Sequence, residues 1–295
     1  MDNKKNFELT TETRKMFGRT LFRIKALKSF NDVKVGDLGG FVEKEENLSE
    51  NAWVYENACV YGNARVYDDA RVYGNARVYD DAHVYGNARV YGNARIYGNA
   101  WVYDDARVYG NAWVCDDARV YGNARVYDGA RVYGNARVYD GACVYSVYDG
   151  AHARVYDDAR VYGNARVYGN AWVYGDAEIS GNAWVYGEAE ISGDTCIDGV
   201  VKIYDAADLS NNNDYIYFKC LGSSLTFFKC KDGHIHVSWD DTTTFNDDSF
   251  DGSLYAFEKK VEEKLQNNKY DEYAKGYLPC IEIVKIHFGL TDDEV

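Results

Sequence analysis

Histidine is the side chain best suited to general acid–base catalysis near neutral pH, and the repetitive middle of this sequence holds two. His83 occupies a slot that neighbouring repeats fill with arginine, and His152 stands where the repeats are interrupted. The sequence offers neither histidine a residue that would orient its ring. We therefore expect replacement of either one to leave function intact, with His152 the better candidate for a general base.

A second set of chemistry-bearing residues, Cys230, His234 and His236, lies near the C-terminus. The two histidines would share one strand face with the cysteine across a turn, and thiol and imidazole groups are zinc ligands. The same spacing is also typical of ordinary side chains beside a hairpin, which is the interpretation we favour. We accordingly expect no bound metal. No phosphate-binding loop or dinucleotide fingerprint occurs in the sequence, so we also expect no cofactor.

A six-residue repeat has to position most of these groups. Aliphatic residues recur every six positions from Val54 to Val144 and again from Val155 to Ile203, and a small residue, usually Ala, follows most of them four positions later. In a strand, Ala and Val would point to one side and Arg and Tyr to the other. Gly-Asn, Asp-Asp or Asp-Gly pairs would then turn the chain.

A period of six does not fit the 3.6 residues per turn of a helix. It predicts short strands wound into a parallel β-helix with three strands per coil. A meander of hairpins is a poorer alternative, because each strand would be only about four residues long.

The pattern aliphatic, any, any, any, small, any resembles the hexapeptide repeat of left-handed β-helix proteins, which include bacterial acyltransferases and a zinc carbonic anhydrase. The string FNDVKVGDLGGFVE resembles the leader of such proteins from bacteria and phages. The resemblance implies a mainly β protein, a left-handed parallel β-helix of about eight coils. It also implies two functions: an acyltransferase that uses acyl-CoA with a coil histidine as base, or a phage or mobile-element inhibitor of a host protein. The three histidine ligands of the anhydrases are missing from the repeats.

Three segments follow from these patterns: an N-terminal cap at 1–50, the β-helix at 51–205 and an acidic α+β domain at 206–295. The last segment reads as three short strands followed by a helix with Leu254, Phe257 and Val261 on one stripe, and by a second helix that begins near Pro279. Val144 and Val155 are 11 residues apart, one fewer than two hexads, which predicts one shortened hexad with a bulge or small loop between the two valines.

Three hexads per coil define three faces, named by their outward residues before the break. Face one carries Trp53, Arg71, Arg89, Arg107, Arg125 and Cys143, beside Tyr55, Tyr73, Tyr91, Tyr109, Tyr127 and Tyr145. Face two carries Cys59, Arg77, Arg95, Trp113 and Arg131. Face three carries Arg65, His83, Trp101, Arg119 and Arg137. Acidic pairs occupy alternate coils at the corners after faces two and three, whereas the corner after face one is nearly free of acid.

Face one is therefore the most uniform and most cationic surface, and Tyr, Trp and Arg are enriched at interface hot spots. We expect it to make the main contact, either with sister subunits or with an acidic surface of a protein partner, through eight binding residues: Arg71, Arg89, Arg107, Arg125, Tyr73, Tyr91, Tyr109 and Tyr127. The sequence favours a binding or scaffold protein over an enzyme. Hexapeptide β-helices often associate side by side, so the resemblance also implies a homo-oligomer, a trimer or a dimer.

Charge and cysteine content bear on partners and location. The net charge is −14, which disfavours a sequence-independent grip on nucleic acid. No apolar stretch is long enough to span a membrane and no secretory leader is visible. The seven cysteines are odd in number and scattered, which is typical of free thiols in the cytoplasm.

Overall fold

The computed structural model describes residues 6–49, 51–146, 152–220, 223–240, 250–267 and 272–291. Within them, three parallel sheets enclose one apolar interior and form a β-solenoid of about nine coils, one more than the repeat count suggested. The count rises because the strand Asp208–Leu209, beyond the last predicted repeat at Ile203, continues the stack. Strand pairing is parallel throughout the coils, which rules out the hairpin meander.

The strands of each face follow the predicted columns. Face one contains Trp53–Val54, Arg71–Val72, Arg89–Val90, Arg107–Val108, Arg125–Tyr127, Cys143–Tyr145, Arg166–Tyr168, Trp184–Val185 and Lys202–Ile203. Face two contains Cys59–Val60, Arg77–Val78, Arg95–Ile96, Trp113–Val114, Arg131–Val132, Arg154–Val155, Trp172–Val173, Glu190–Ile191 and Asp208–Leu209. Face three contains Arg65–Val66, His83–Val84, Trp101–Val102, Arg119–Val120, Arg137–Val138, Arg160–Val161, Glu178–Ile179 and Cys196–Ile197.

The interior is built from the two inward positions of each hexad. Val90 and Ala88 of one coil are fully buried, as are Val108 and Ala106 of the next. The intervening Arg and Tyr side chains therefore point outward, as strand alternation requires. Because the small residue sits where the chain enters each strand, the three sheets approach closely and leave an aliphatic core.

Most corners begin with a residue in the left-handed region, usually Gly or Asp, as at Gly86 (φ 67°) and Asp68 (φ 58°). Hydrogen bonds explain why the two types alternate along a corner. The amide of Gly86 donates to the Asp68 carboxylate of the preceding coil at 3.0 Å, and at the second corner position Asn63 donates to Asp81 at 3.1 Å. Alternation thus gives several of the carboxylates a donor from a neighbouring coil, in addition to separating like charges as the sequence suggested.

The interruption of the repeats is a single insertion, with no hexad shortened. Arg131 pairs with Arg154, 23 positions later, whereas Arg77 pairs with Arg95, 18 positions later. The coil therefore gains five residues between a strand of face one and the next strand of face two. The prediction that one hexad is shortened was wrong, since Val155 lies on face two, one corner after Val144; the predicted loop itself, at 147–151, lies outside the described residues.

The N-terminal strands Phe7–Met16, Arg19–Ala26 and Leu38–Val42 continue the sheet of face two beyond the first coil. The first two form an antiparallel hairpin, and Leu38–Val42 pairs in parallel with Cys59–Val60. A short 3₁₀-helix, Glu45–Asn47, then leads into the coils. These strands occupy a sheet edge that would otherwise be open to other chains.

The C-terminal part contains an antiparallel sheet of Tyr215–Cys220, Ser223–Lys229, Ile235–Asp240 and Phe250–Ser253. Helix α1 (Leu254–Asn267) buries the predicted stripe of Leu254, Phe257 and Val261 against this sheet. Helix α2 (Glu272–Phe288) contains Pro279 in its interior, so the predicted start at this proline was wrong. Burial of Ala274 and Tyr277 ahead of the proline outweighs the backbone hydrogen bond that proline removes.

The other side of the C-terminal sheet covers the last coil, since Phe228 and Cys230 pack into the solenoid core. Among the described residues, no helix is long and apolar enough to cross a membrane.

Candidate functional site

The arginine column of face one is set by strand register. Arg89 pairs with Arg71 on one side and Arg107 on the other, and Arg107 pairs in turn with Arg125. Parallel pairing without a shift stacks identical positions, so four guanidinium groups project from successive coils. The structure therefore places all four arginines in the predicted column.

The tyrosines of face one form a second column of stacked rings, which we call a tyrosine ladder. The ring centres of Tyr91 and Tyr109 are 4.7 Å apart with an interplanar angle of 1°, and Tyr127 continues the stack at 4.7 Å from Tyr109. At the start of the face, Tyr55 and Tyr73 stack at 4.3 Å. Among the described residues, no ring contact joins Tyr73 to Tyr91, so the ladder is interrupted between these two coils.

A contact from the N-terminal segment accounts for this interruption. The Tyr55 hydroxyl donates to the Asp32 carboxylate at 2.8 Å, and a guanidinium nitrogen of Arg71 lies 2.9 Å from the same oxygen. Arg71 also reaches the Tyr73 hydroxyl at 3.5 Å. Asp32 thus holds the first two rungs together, whereas the ring of Tyr91 follows the regular stack beyond.

A cleft of about 290 Å³ lies at this interruption and is lined by Tyr73, Arg89, Tyr91 and Arg107. Both arginines are exposed, and no ion pair, side-chain hydrogen bond or cation–π contact within the described part of the chain involves either one. The corners that follow Tyr73 and Tyr91 hold glycine and asparagine, whereas Asp104 and Asp105 form the corner before Arg107. The cleft can therefore offer two guanidinium groups to a carboxylate and two aromatic faces to a planar group.

The arginines of face two have a different environment. The guanidinium carbons of Arg95 and Arg131 lie 4.9 and 4.8 Å from the ring centre of Trp113, which is sandwiched between them. Arg154 covers Trp172 at 4.6 Å in the same way. These cations are half-buried and engaged within the protein, in contrast to Arg89 and Arg107.

Burial raises the pKa of several tyrosine hydroxyls in the ladders. Burial, with a contribution from Tyr145, raises the pKa of Tyr168 on face one to about 12. Burial, with a contribution from Tyr79, likewise raises the pKa of Tyr61 on face two to about 12. These hydroxyls remain protonated and can donate hydrogen bonds to a partner at neutral pH.

His83 is part of an aromatic stack rather than a catalytic arrangement. Its ring lies 5.0 Å from that of Trp101 and edge-on to Tyr67 at 6.2 Å. Burial, reinforced by the positive charge of Arg65, lowers the pKa of this imidazole. Within the described chain its Nδ1 atom has no hydrogen-bond partner, so nothing orients the ring as a base.

His152 has the orienting contact that the sequence did not reveal. Its Nδ1 atom lies 3.1 Å from the carbonyl oxygen of Gly129, and its backbone amide donates to Asn170. The ring borders a cleft of about 260 Å³ that also includes Trp172, Glu188 and Glu190. Gly129 is the corner residue one coil earlier, so only the five-residue insertion brings the two together.

The C-terminal cysteine and histidines are only partly brought together. Cys230 and His236 converge with Asp232, while His234 lies in the exposed turn before the strand Ile235–Asp240 and is not part of the cluster. Burial, with contributions from Asp232 and Asp205, raises the pKa of the Cys230 thiol to about 12. Sequence spacing grouped His236 with Cys230, as the structure does, but it also included His234 because it did not show where the strand begins.

Comparison with known proteins identifies the repeats. Segments of the chain match the family model described as YdcK Beta solenoid repeat at residues 70–86, 82–95, 88–104, 102–116, 118–132, 130–146, 153–165 and 159–175. A search of curated proteins found no match. The matched segments and the three-sheet architecture define the chain as a β-solenoid repeat protein, similar in its repeats to the YdcK β-solenoid family.

Proposed function

We propose that this chain is a non-catalytic binding or scaffold protein that holds a protein partner on face one. The observation that carries this proposal is the cleft at Tyr73, Arg89, Tyr91 and Arg107, where the tyrosine ladder opens beside two arginines without an internal partner. The solenoid behind the cleft is a continuous buried core, so the groups are held at fixed spacing without a partner present.

The charge and shape of the cleft indicate the kind of surface that fits it. A carboxylate can bridge the two guanidinium groups, and an aromatic ring can pack against the half-buried rings of Tyr73 and Tyr91. The chain as a whole carries a charge of −14, so an acidic partner would be repelled elsewhere and attracted only by the cationic column. We therefore assign to the partner a surface with acidic and aromatic side chains.

The acidic C-terminal domain at 206–295 is a second surface through which the protein would act, and its charge would suit a basic partner. Inhibition of a host protein by a phage or mobile element, the role implied by the sequence resemblance, would use the same surface. Side-by-side association of sister chains through face one is the competing use of that surface.

Two matched double variants test the proposal. Arg89→Glu with Arg107→Glu reverses the charge of the cleft, and Arg77→Glu with Arg95→Glu makes an equal change in net charge on face two. Pull-down from bacterial lysate with wild type and both variants, followed by light scattering of each purified protein, separates a partner from self-association. We expect the face-one variant alone to lose its captured partner while keeping the wild-type mass. Equal capture by all three proteins would contradict the proposal.

A second candidate function, acyl transfer from acyl-CoA, is favoured by the contact of His152 with Gly129. A carbonyl that accepts from Nδ1 leaves Nε2 unprotonated and able to act as a general base. Thioester hydrolysis with acetyl-CoA and a panel of acceptors is the direct test. Turnover that disappears in a stably folded His152→Ala variant would favour the enzyme, whereas the binding proposal predicts no turnover in either protein.

A further inference from the structure

The junction between the last coil and the C-terminal sheet contains a compact group of metal-ligating side chains. The turn between the strands Ser223–Lys229 and Ile235–Asp240 rests on the corner after Lys202–Ile203. Cys230 bridges Ala207 in antiparallel fashion, and the amide of Lys231 donates to the Ala206 carbonyl at 2.9 Å. Side chains from the turn and from the corner therefore meet at fixed positions.

Three of these side chains converge on one point. The Cys230 sulfur, a carboxylate oxygen of Asp232 and an imidazole nitrogen of His236 all lie within 4.8 Å of one another. A carboxylate oxygen of Asp205, from the coil, lies 3.8 Å from Nδ1 of His236. That nitrogen is buried and has no hydrogen-bond partner among the described residues, so its lone pair or proton is unsatisfied.

We propose that Cys230, Asp232 and His236 bind one divalent transition-metal ion of the zinc class, with Asp205 as the fourth ligand. Thiolate, imidazole and carboxylate are the donors that Zn²⁺ takes in proteins, usually four in number. One sulfur, one nitrogen and two oxygens do not suit the all-oxygen coordination that Ca²⁺ and Mg²⁺ prefer. An ion here would also supply the missing partner of the His236 nitrogen.

The distances among Cys230, Asp232 and His236 are compatible with binding after a small closure, and Asp205 would approach the ion from the side of His236. Donor atoms around tetrahedral zinc are roughly 3.5 Å apart, so the cluster must contract by about 1 Å at its widest. Asp232 and Asp205 are exposed and can move, while Cys230 is buried and fixed by its strand. The amide of His234 donates to Asp232 at 3.0 Å, which already holds that carboxylate in the turn.

The neighbouring cation does not compete for this position. Lys231, between Cys230 and Asp232 in sequence, forms an ion pair with Glu190 of face two. The proposed ion would cross-link the turn to the last coil and so fasten the C-terminal sheet onto the solenoid end. Its role is structural and independent of the binding proposed for face one.

Titration of the full-length apo protein with Co²⁺ tests the site, because a thiolate bound to cobalt gives a charge-transfer band in the near ultraviolet. We expect one Co²⁺ per chain, displacement by Zn²⁺, and a higher unfolding midpoint in the presence of either ion. Cys230→Ser should abolish the band. Asp232→Asn and Asp205→Asn should weaken Co²⁺ binding tenfold or more, and asparagine tolerates the left-handed backbone of position 205.

Two variants serve as controls. Cys196→Ser removes an exposed thiol of face three, and His234→Ala removes the histidine of the turn that lies outside the cluster; both should bind Co²⁺ as wild type does. The proposal is overturned if wild type takes up no stoichiometric Co²⁺, if the band survives in Cys230→Ser, or if both aspartate variants keep wild-type affinity. The aspartate variants alter exposed side chains, so they report on the site even if Cys230→Ser fails to fold.

Discussion

Face one and face two are built from the same six-residue repeat, yet their arginines make different contacts. On face two, Trp113 stands between Arg95 and Arg131, and both guanidinium groups cover its ring. On face one, no tryptophan separates Arg89 from Arg107, and both remain exposed. One residue in the neighbouring coil thus decides whether an arginine stabilises the solenoid or is available to a partner.

The stacking of the tyrosine rings also differs between the two faces. Face two stacks Tyr61, Tyr79 and Tyr97 at 5.0 Å until Cys115 replaces the next tyrosine, whereas face one opens between Tyr73 and Tyr91, where no tyrosine is replaced. Nothing in the repeat itself differs at this position. The difference comes from Asp32, a residue outside the repeats that holds Tyr55 and Arg71 together.

High pH should lower the free energy of unfolding through the tyrosines of both faces, and this should be the largest of the effects expected. Burial raises the pKa of ladder tyrosines such as Tyr61 and Tyr168 to about 12, above the ordinary value of 10.0. The unfolded chain therefore loses protons first, so the free energy of unfolding is constant below about pH 10 and falls as the pH rises toward 12. Urea unfolding at a series of pH values, together with phenolate absorbance, measures this. Phenolate absorbance that rises with ordinary tyrosine behaviour in the folded protein would contradict the stacked ladders.

Removal of a tryptophan from face two should lower the free energy of unfolding more than removal of an arginine from face one. Trp113→Ala deletes a half-buried ring and two cation–π contacts, and we expect it to lower the free energy of unfolding by about 2–3 kcal/mol. Arg107→Ala, one strand earlier on face one, should change it by less than about 0.5 kcal/mol because the side chain has no internal partner. Urea denaturation followed by circular dichroism gives both values. Similar losses in the two variants would show that the arginines of both faces are structural.

Removal of the Asp32 contact should make the tyrosine stack of face one more like the regular stack of face two. In Asp32→Asn the ion pair with Arg71 is lost, and we expect stability to fall by about 1 kcal/mol or less, as for an exposed pair. The first two rungs should then relax toward Tyr91 and narrow the cleft. A crystal structure of the variant, with the distance between the rings of Tyr73 and Tyr91 as readout, tests this. An unchanged gap would mean that Asp32 does not hold the ladder open.

The repeat made the fold and the columns predictable, because three hexads per coil fix which residues stack. Arg71, Arg89, Arg107 and Arg125 fell into register for this reason alone. Features that depend on contacts between the repeats and other segments were not predictable. The gap in the ladder requires the position of Asp32, which six-residue periodicity does not describe.

Irregular segments account for the other differences. The ring of His152 reaches Gly129 only because five residues are inserted in one coil, and spacing alone suggested a shortened hexad. The cluster of Cys230, Asp232 and His236 depends on where the turn ends and where the sheet rests on the last coil. Sequence spacing pointed to His234, which the start of the strand leaves in the turn.

Calorimetric binding of a random copolymer of glutamate and tyrosine tests the central claim most directly, since this probe carries the acidic and aromatic groups assigned to the partner. We expect wild type and the Arg77→Glu, Arg95→Glu variant to bind the copolymer alike. In the Arg89→Glu, Arg107→Glu variant we expect binding to be weakened at least tenfold. We further expect added salt to weaken wild-type binding, because the exposed guanidinium groups are screened. Equal binding by both variants, or loss in the face-two variant alone, would contradict the assignment of face one as the interaction surface.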